Sequence, residues 1–180
     1  VRKMGSGNAG TTNVMRNAGF LPGALTFIFD ALKGFVAAFA GKLVFDYIFT
    51  TTDLVWAMPI YGAYLCGLAC MLGHVFPVFF QFKGGKGVLT SFSILVVVAP
   101  IPALIALVLF IALVALTKYV SLGSMVAAIS LPLLVFFAGN YLLSQSGFSA
   151  VFILCLFVAV LIIVRHHANI GRLLRGQESK

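Results

Sequence analysis

The sequence predicts an all-α protein, a polytopic transmembrane helical bundle with six crossings. The first observation behind this is composition. Of 180 residues, 62% are hydrophobic and 9% charged, with a mean hydropathy of +1.13; soluble domains carry roughly 25% charged residues. The second is the presence of long uncharged runs over residues 87–117 and 148–164. They lack the apolar–polar alternation of an outer-membrane barrel, so helices are the remaining spanning structure. The third is that most basic residues sit in short connections between apolar runs, the positive-inside pattern. The net charge of +8 then reads as topology and as affinity for anionic headgroups and phosphate-bearing ligands, not for nucleic acid. The size suits one membrane-embedded domain, residues 1–180.

The first twenty residues, VRKMGSGNAGTTNVMRNAGF, are polar, glycine-rich and basic. Val14 and Met15 between the polar groups predict a short amphipathic helix at the membrane interface. Pro22 suits the first turn of a helix, and residues 22 to about 43 form the first crossing. Asp30 and Lys33 fall on one face of it at i, i+3. Charges at membrane depth are expensive, so they should face the interior as an ion pair, a substrate-facing lysine being the alternative. Residues 45–53, with Asp46 and Asp53 and no base, read as an outside loop. Residues 54 to about 72 cross again, with Trp56 and Tyr61 as interfacial anchors, and deliver His74 and Pro77 to the inner side.

Residues 87–99 are too few for a full crossing of ~20 residues; a glycine loop dipping below the headgroups would let a short span suffice. Pro100 and Pro102 force a turn, and residues 103–117 return to Lys118. Residues 118–122 make a second inner turn carrying Ser121. Residues 124 to about 138 go out, bent by Pro132. Residues 139–147 are an uncharged outer loop, and 148–164 return. Cys66, Cys70 and Cys155 all lie in apolar spans, where they read as small packing residues. No C-x-x-C or H-E-x-x-H occurs, so no metal site is expected.

The chemistry-bearing stretch is Lys83, Gly84, Gly85, Lys86, Gly87. Glycines allow consecutive N–H groups to turn toward one anion, with two lysines beside them. This is no Walker A loop, because Gly87 and not Ser or Thr follows Lys86, which disfavours nucleotide hydrolysis. A plain basic turn on the cytoplasmic side is the alternative. The C-terminal RHHANIGRLLRGQESK places His166, Asn169 and Arg172 at helical i, i+3, i+6 spacing; a basic stop-transfer tail is the alternative there. The expected topology puts the N-terminal polar segment, the glycine loop, Ser121 and this C-terminal segment on one face. Such convergence points to an anion-binding active site.

Three blocks resemble the bacterial acyl-phosphate:glycerol-3-phosphate acyltransferases, the PlsY family. They are GSGNAGTTNVMR at 5–16, GHVFPVFFQFKGGKGV at 73–88 and RHHANIGRLLRGQE at 165–178, supported by FDALKG at 29–34 and KYVSLGS at 118–124. The resemblance covers nearly the whole chain. Family members are similar to seven-helix bundles with a helix before the GSGN block, which is absent here, so the chain is expected to be a fragment or to lack that helix. The resemblance implies acyl transfer from acyl phosphate to the 1-hydroxyl of sn-glycerol 3-phosphate, giving lysophosphatidate and phosphate, without metal or other cofactor. It implies a place in the bacterial inner membrane with the active site toward the cytoplasm. Membrane lipid and a soluble acyltransferase that makes the acyl phosphate are the implied partners. His166, Asn169 and Ser6 are the implied catalytic residues. Arg16, Lys86 and Ser121 are the implied substrate- and phosphate-binding residues, to which the reading of the polar segments themselves adds Asn13, Lys83, Gly84, Gly85, Gly87 and Arg172. No Ser-His-Asp arrangement is visible, so direct transfer is preferred to an acylated Ser6, with Ser6 and Asn169 as hydrogen-bonding groups. His166 can accept the hydroxyl proton or merely orient the hydroxyl, and substrate phosphate is a competing base. The alternative function is a membrane transporter of a phosphorylated small molecule, for which inverted repeats would be the sign; no clear repeat is seen.

Overall fold

The computed structural model describes residues 1–142 and 148–179, the side chains of 138–142 and 148 excepted. All regular elements among them are helical, and the chain falls into two compact units, Val1–Val98 and Ala99–Lys180.

The first unit contains α1 (Thr11–Ala18), α2 (Phe20–Thr52), α3 (Pro59–Val75) and α4 (Val88–Val98). Its organiser is α2, whose buried residues Gly23, Asp30, Gly34, Ala38 and Gly41 recur every three to seven positions and so form one stripe. Small residues let backbones approach where lipid gives no hydrophobic drive between helices. A Cβ on Gly23 would meet Met15 of α1, one on Gly34 would lie 2.6 Å from the Thr90 carbonyl of α4, and one on Gly41 would lie 2.3 Å from the Gly62 carbonyl of α3. Along that stripe, α2 carries the other three helices. The opposite face exposes Phe27, Ile28, Phe29, Leu32 and Val36, as a lipid-facing surface should.

The outside loop expected over 45–53 is not a loop: α2 runs unbroken to Thr52. Asp46 and Asp53 suggest a loop, but no Gly or Pro interrupts the run. The hydroxyls of Thr50, Thr51 and Thr52 donate back to carbonyls three and four residues earlier. The helix stops at Asp53, in a left-handed conformation with its N–H on the Phe49 carbonyl. The amphipathic helix expected near the N-terminus is α1, which buries Asn13 and Val14 and exposes Met15 and Arg16.

The second unit contains α5 (Pro100–Thr117), α6 (Val120–Leu142), α7 (Phe148–Arg165) and α8 (His167–Leu174). Pro100 and Pro102 lie within the first turn of α5, where their missing N–H groups have no intrahelical acceptor. Lys118 closes α5 in a left-handed conformation. The outer loop expected over 139–147 is taken by α6 as far as Leu142, and 143–147 lie outside the described residues.

Among the described residues four helical stretches are long and apolar enough to cross a membrane, Phe20–Thr52, Pro59–Phe80, Pro100–Thr117 and Val120–Phe137. A fifth is the pair Ser149–Arg165 and His167–Leu174, bent by 57°. With 11 residues, α4 reaches only ~16 Å at ~1.5 Å per residue. Six apolar helical segments thus stand where the crossings are expected. Spanning length holds for four of them, or five counting the bent pair.

Candidate active site

In the first unit the polar groups come from the loop before α1 and from the segment between α3 and α4. Asn13, in the first turn of α1, organises the former. Its Oδ1 accepts from the Ser6 N–H at 3.0 Å and from Asn17 Nδ2 at 3.0 Å, while its Nδ2 donates to the carbonyls of Val1, Met4 and Asn8. The Asn13 amide is therefore engaged by the chain itself. It holds the loop that presents Ser6, where sequence reasoning placed it on phosphate. Ser6 and Arg16 are exposed.

The segment after α3 turns through left-handed Gln81 and Phe82 into Lys83, which is exposed. The Lys83 carbonyl accepts from the Arg2 guanidinium, which also lies over the Phe80 ring, 4.2 Å from its centroid. Arg2 thereby ties the N-terminal segment to the glycine loop. The glycines differ from the expected nest. The N–H of Gly84 donates to the Val75 carbonyl and that of Gly85 to the His74 carbonyl, both at 3.2 Å. Those two N–H groups serve the loop's own docking on the end of α3. The N–H groups that lack intrahelical acceptors are in the first turn of α4, directly after left-handed Gly87. A phosphate beside the half-buried Lys86 would face that helix end, where the dipole adds positive potential.

Sequence reasoning left His74 without a role in the site. Lys33 Nζ lies 2.5 Å from Asp30 Oδ1 and 2.7 Å from His74 Nδ1, and His74 Nδ1 lies 3.5 Å from Asp30 Oδ1. The expected Asp30–Lys33 pair is present, and it reaches the residue beneath the glycine loop. The available signal was the histidine in the last turn of α3, nine residues before the start of KGGKG, but a contact across 41 residues has no signature in spacing.

In the second unit Ser121, Asn169 and Arg172 come together on Glu178. Ser121 Oγ donates to Glu178 Oε1 at 2.7 Å and Asn169 Nδ2 to the same oxygen at 2.5 Å, and Arg172 Nε donates to Oε2 at 2.7 Å. Burial raises the Glu178 carboxyl pKa, but these three hydrogen bonds and the Arg172 charge outweigh it and hold it below its ordinary value. A glycine delivers the carboxylate. After α8, Gly176 takes φ +66°, its N–H donates to the Leu173 carbonyl, and the Gln177 N–H donates to the Arg172 carbonyl at 2.8 Å. This Schellman turn reverses the chain and sets Glu178 against the groups expected to bind an anion. Glu178 escaped sequence reasoning, although it is the acid in an otherwise basic tail.

His166 is placed by a break, not by a continuous helix. It separates α7 from α8, its carbonyl accepting the Ile170 N–H. Even so, His166 is 2% exposed and Asn169 6%, while His167 is exposed, as the spacing predicts. His166 Nδ1 lies 2.7 Å from the Ile162 carbonyl. A carbonyl only accepts, so Nδ1 carries a proton, and in a neutral ring Nε2 is then the basic nitrogen.

The family model described as glycerol-3-phosphate acyltransferase matches residues 1–176. A glycerol-3-phosphate acyltransferase of Syntrophotalea carbinolica is 42% identical over 100% of this chain and 83% of its own length. One of Finegoldia magna is 37% identical over 100% of this chain and 81% of its own. The crystal structure of PlsY (YgiH), an integral membrane glycerol 3-phosphate acyltransferase, in its glycerol 3-phosphate form superposes with a TM-score of 0.79 at 38% identity. That match covers 99% of this chain and 80% of the other. The lysophosphatidic acid form of PlsY gives a TM-score of 0.76.

Proposed function

This chain belongs to the glycerol-3-phosphate acyltransferase family, and we propose that it transfers a fatty acyl group from acyl phosphate to the 1-hydroxyl of sn-glycerol 3-phosphate. The observation that carries this reading is the family match over residues 1–176, which runs through the N-terminal polar segment, the glycine loop and nearly all of the C-terminal motif. PlsY, similar over almost all of this chain, has been crystallised in glycerol 3-phosphate and lysophosphatidic acid forms. Those species are the acceptor and the product of the proposed reaction. The acceptor oxygen bonds to the acyl carbonyl carbon, the bond from that carbon to the phosphate oxygen breaks, and phosphate leaves. Phosphate is a good leaving group, so positioning and charge stabilisation are the main demands.

The residues divide by chemistry. Lys86 and the first turn of α4 suit a phosphate dianion, with Arg16 and Lys83 as further cations. Gly84, Gly85 and Gly87 shape that loop, and Asn13 holds Ser6 in place as a hydrogen-bonding group. In the second unit His166 Nε2 accepts or orients the hydroxyl proton, and Ser121, Asn169 and Arg172 supply donors. The whole chain acts as one membrane-embedded domain in the bacterial cytoplasmic membrane. Its site faces the cytoplasm, where the basic segments are retained, and the acyl tail stays in the bilayer. Acyl phosphate comes from a soluble acyltransferase. The test is phosphate release from palmitoyl phosphate by purified protein in detergent. Release that depends on glycerol 3-phosphate and is matched by lysophosphatidate is expected. No turnover in detergent, with movement of a phosphorylated solute only in sealed vesicles, would replace the enzyme by a transporter.

A further inference from the structure

We infer that His74 is a positioning residue of the glycine loop, and that position 85 is glycine to make room for the His74 ring and not for phosphate. This rests on the loop binding the phosphorylated acceptor, as proposed above.

A Cβ built on Gly85 would lie 2.1 Å from His74 Nε2 and 2.5 Å from Cε1, far inside van der Waals contact. A flexible side chain would swing away from such an atom, but this ring is held. Lys33 Nζ donates to His74 Nδ1 at 2.7 Å and to Asp30 Oδ1 at 2.5 Å. An ammonium has only donors, so Nδ1 presents its lone pair, and the proton of the neutral ring is on Nε2, the atom beneath Gly85. The His74 side chain is 10% exposed and that of Asp30 12%.

The backbone is docked on the same residue. The Gly85 N–H donates to the His74 carbonyl, and a Cβ on Gly84 would fall 2.0 Å from that carbonyl oxygen. The other end of the loop is registered on the same turn of α2. Thr90, in the first turn of α4, donates through Oγ1 to the Asp30 carbonyl at 3.3 Å, and Gly34 packs on the Thr90 carbonyl. One helical turn, Asp30 to Gly34, therefore fixes both the ring beneath the loop and the helix end that follows it. His74 acts on substrate through the loop and not by touching it.

The experiment is a double-mutant cycle on purified protein, reading KM for glycerol 3-phosphate, kcat and the thermal unfolding midpoint. His74→Asn keeps an acceptor for Lys33 at the δ position and removes the atoms under Gly85. Gly85→Ala alone is expected to raise KM about ten-fold or more, with kcat within about three-fold. In the His74→Asn background the same change should add less than about two-fold, because coupled neighbours are non-additive. The midpoint should fall with Gly85→Ala in the wild type and hardly move in the His74→Asn background. An equal KM penalty in both backgrounds, or a silent Gly85→Ala, overturns the assignment. Should His74→Asn fail to fold, His74→Ser opens the same space and takes its place. Lys86→Ala is the separate control. If it leaves KM unchanged, the loop is not the phosphate site, and the midpoint coupling still decides whether the ring dictates glycine at 85.

Discussion

His166 and His167 are adjacent in sequence and opposite in surroundings. The first is buried at the break between α7 and α8, with Nδ1 tied to the Ile162 carbonyl. The second is exposed, its Nδ1 on the Val164 carbonyl at 2.9 Å. Removing a general base or a group that orients the attacking hydroxyl costs about 10²–10⁴-fold in rate, so His166→Ala should lose at least about 100-fold in kcat/KM. His167→Ala should stay within about two-fold, as exposed substitutions do. The reverse order would place the reacting face of α8 on the wrong side. His166→Gln, which can donate and accept hydrogen bonds but is not a base, separates the two roles: substantial activity means orientation, with substrate phosphate as the base. Glu178 gives the second prediction at this scale. Its folded pKa lies below the ordinary 4.5. The charged form is thus favoured by folding, and the C-terminal clasp is fully stabilised above that value. As pH falls through the folded pKa the carboxylate is protonated and that contribution disappears. Hydrogen exchange over residues 172–179, corrected for intrinsic rates, should show protection that is flat above pH 4.5 and lost below it. Protection insensitive to acid would mean that Glu178 does not hold the tail.

At the scale of elements, the crossing of α2 and α3 at Gly41 and Gly62 brings backbone onto backbone, each absent Cβ leaving room for the other residue's carbonyl. Gly41→Val would force that contact apart along the helix that carries α1, α3 and α4. Overpacking costs about 1–3 kcal/mol, and a thermal unfolding midpoint lower by several degrees is the expected reading. An unchanged midpoint would show that the two helices do not meet there. The helices themselves were largely legible, because a run such as residues 103–117 leaves a chain in lipid few choices. The last two turns of α2 were not. Asp46, Asp53 and the threonines carry the composition of a loop, whereas side-chain hydroxyls can satisfy backbone carbonyls and continue a helix. Nor was the break at His166 legible, since no Gly or Pro marks it and the spacing to Asn169 and Arg172 suits an unbroken helix equally well.

At the scale of the whole molecule, the polar motifs stood out because each interrupts an apolar run. What those motifs do to one another was less visible. The Asn13 amide is engaged by its own loop, the Gly84 and Gly85 N–H groups by the end of α3, and Ser121, Asn169 and Arg172 by Glu178. Such pairings depend on tertiary geometry, which a list of residue types does not encode. Sidedness is the property that charge does encode. Lys83, Lys86, Lys118 and the basic residues from Arg165 onward predict one cytoplasmic side, and Asp46 and Asp53 the other. Between Thr51, near the end of α2, and Ser179, beyond α8, lie α3, α4, α5, α6 and α7, an odd number of crossings only if α4 counts as one. Its 11 residues give ~16 Å against a hydrocarbon core of ~30 Å, so α4 completes a crossing only if the glycine loop before it starts within the membrane. Single cysteines at Thr51 and Ser179, placed in a background where Cys66, Cys70 and Cys155 are alanine, report this parity to an impermeant thiol reagent in sealed, oriented vesicles. Labelling from opposite sides is expected, with Ser179 cytoplasmic. Labelling of both from one side would make α4 re-entrant. The basic connections would then be divided between the two faces of the membrane, removing the shared cytoplasmic side on which the proposed function relies.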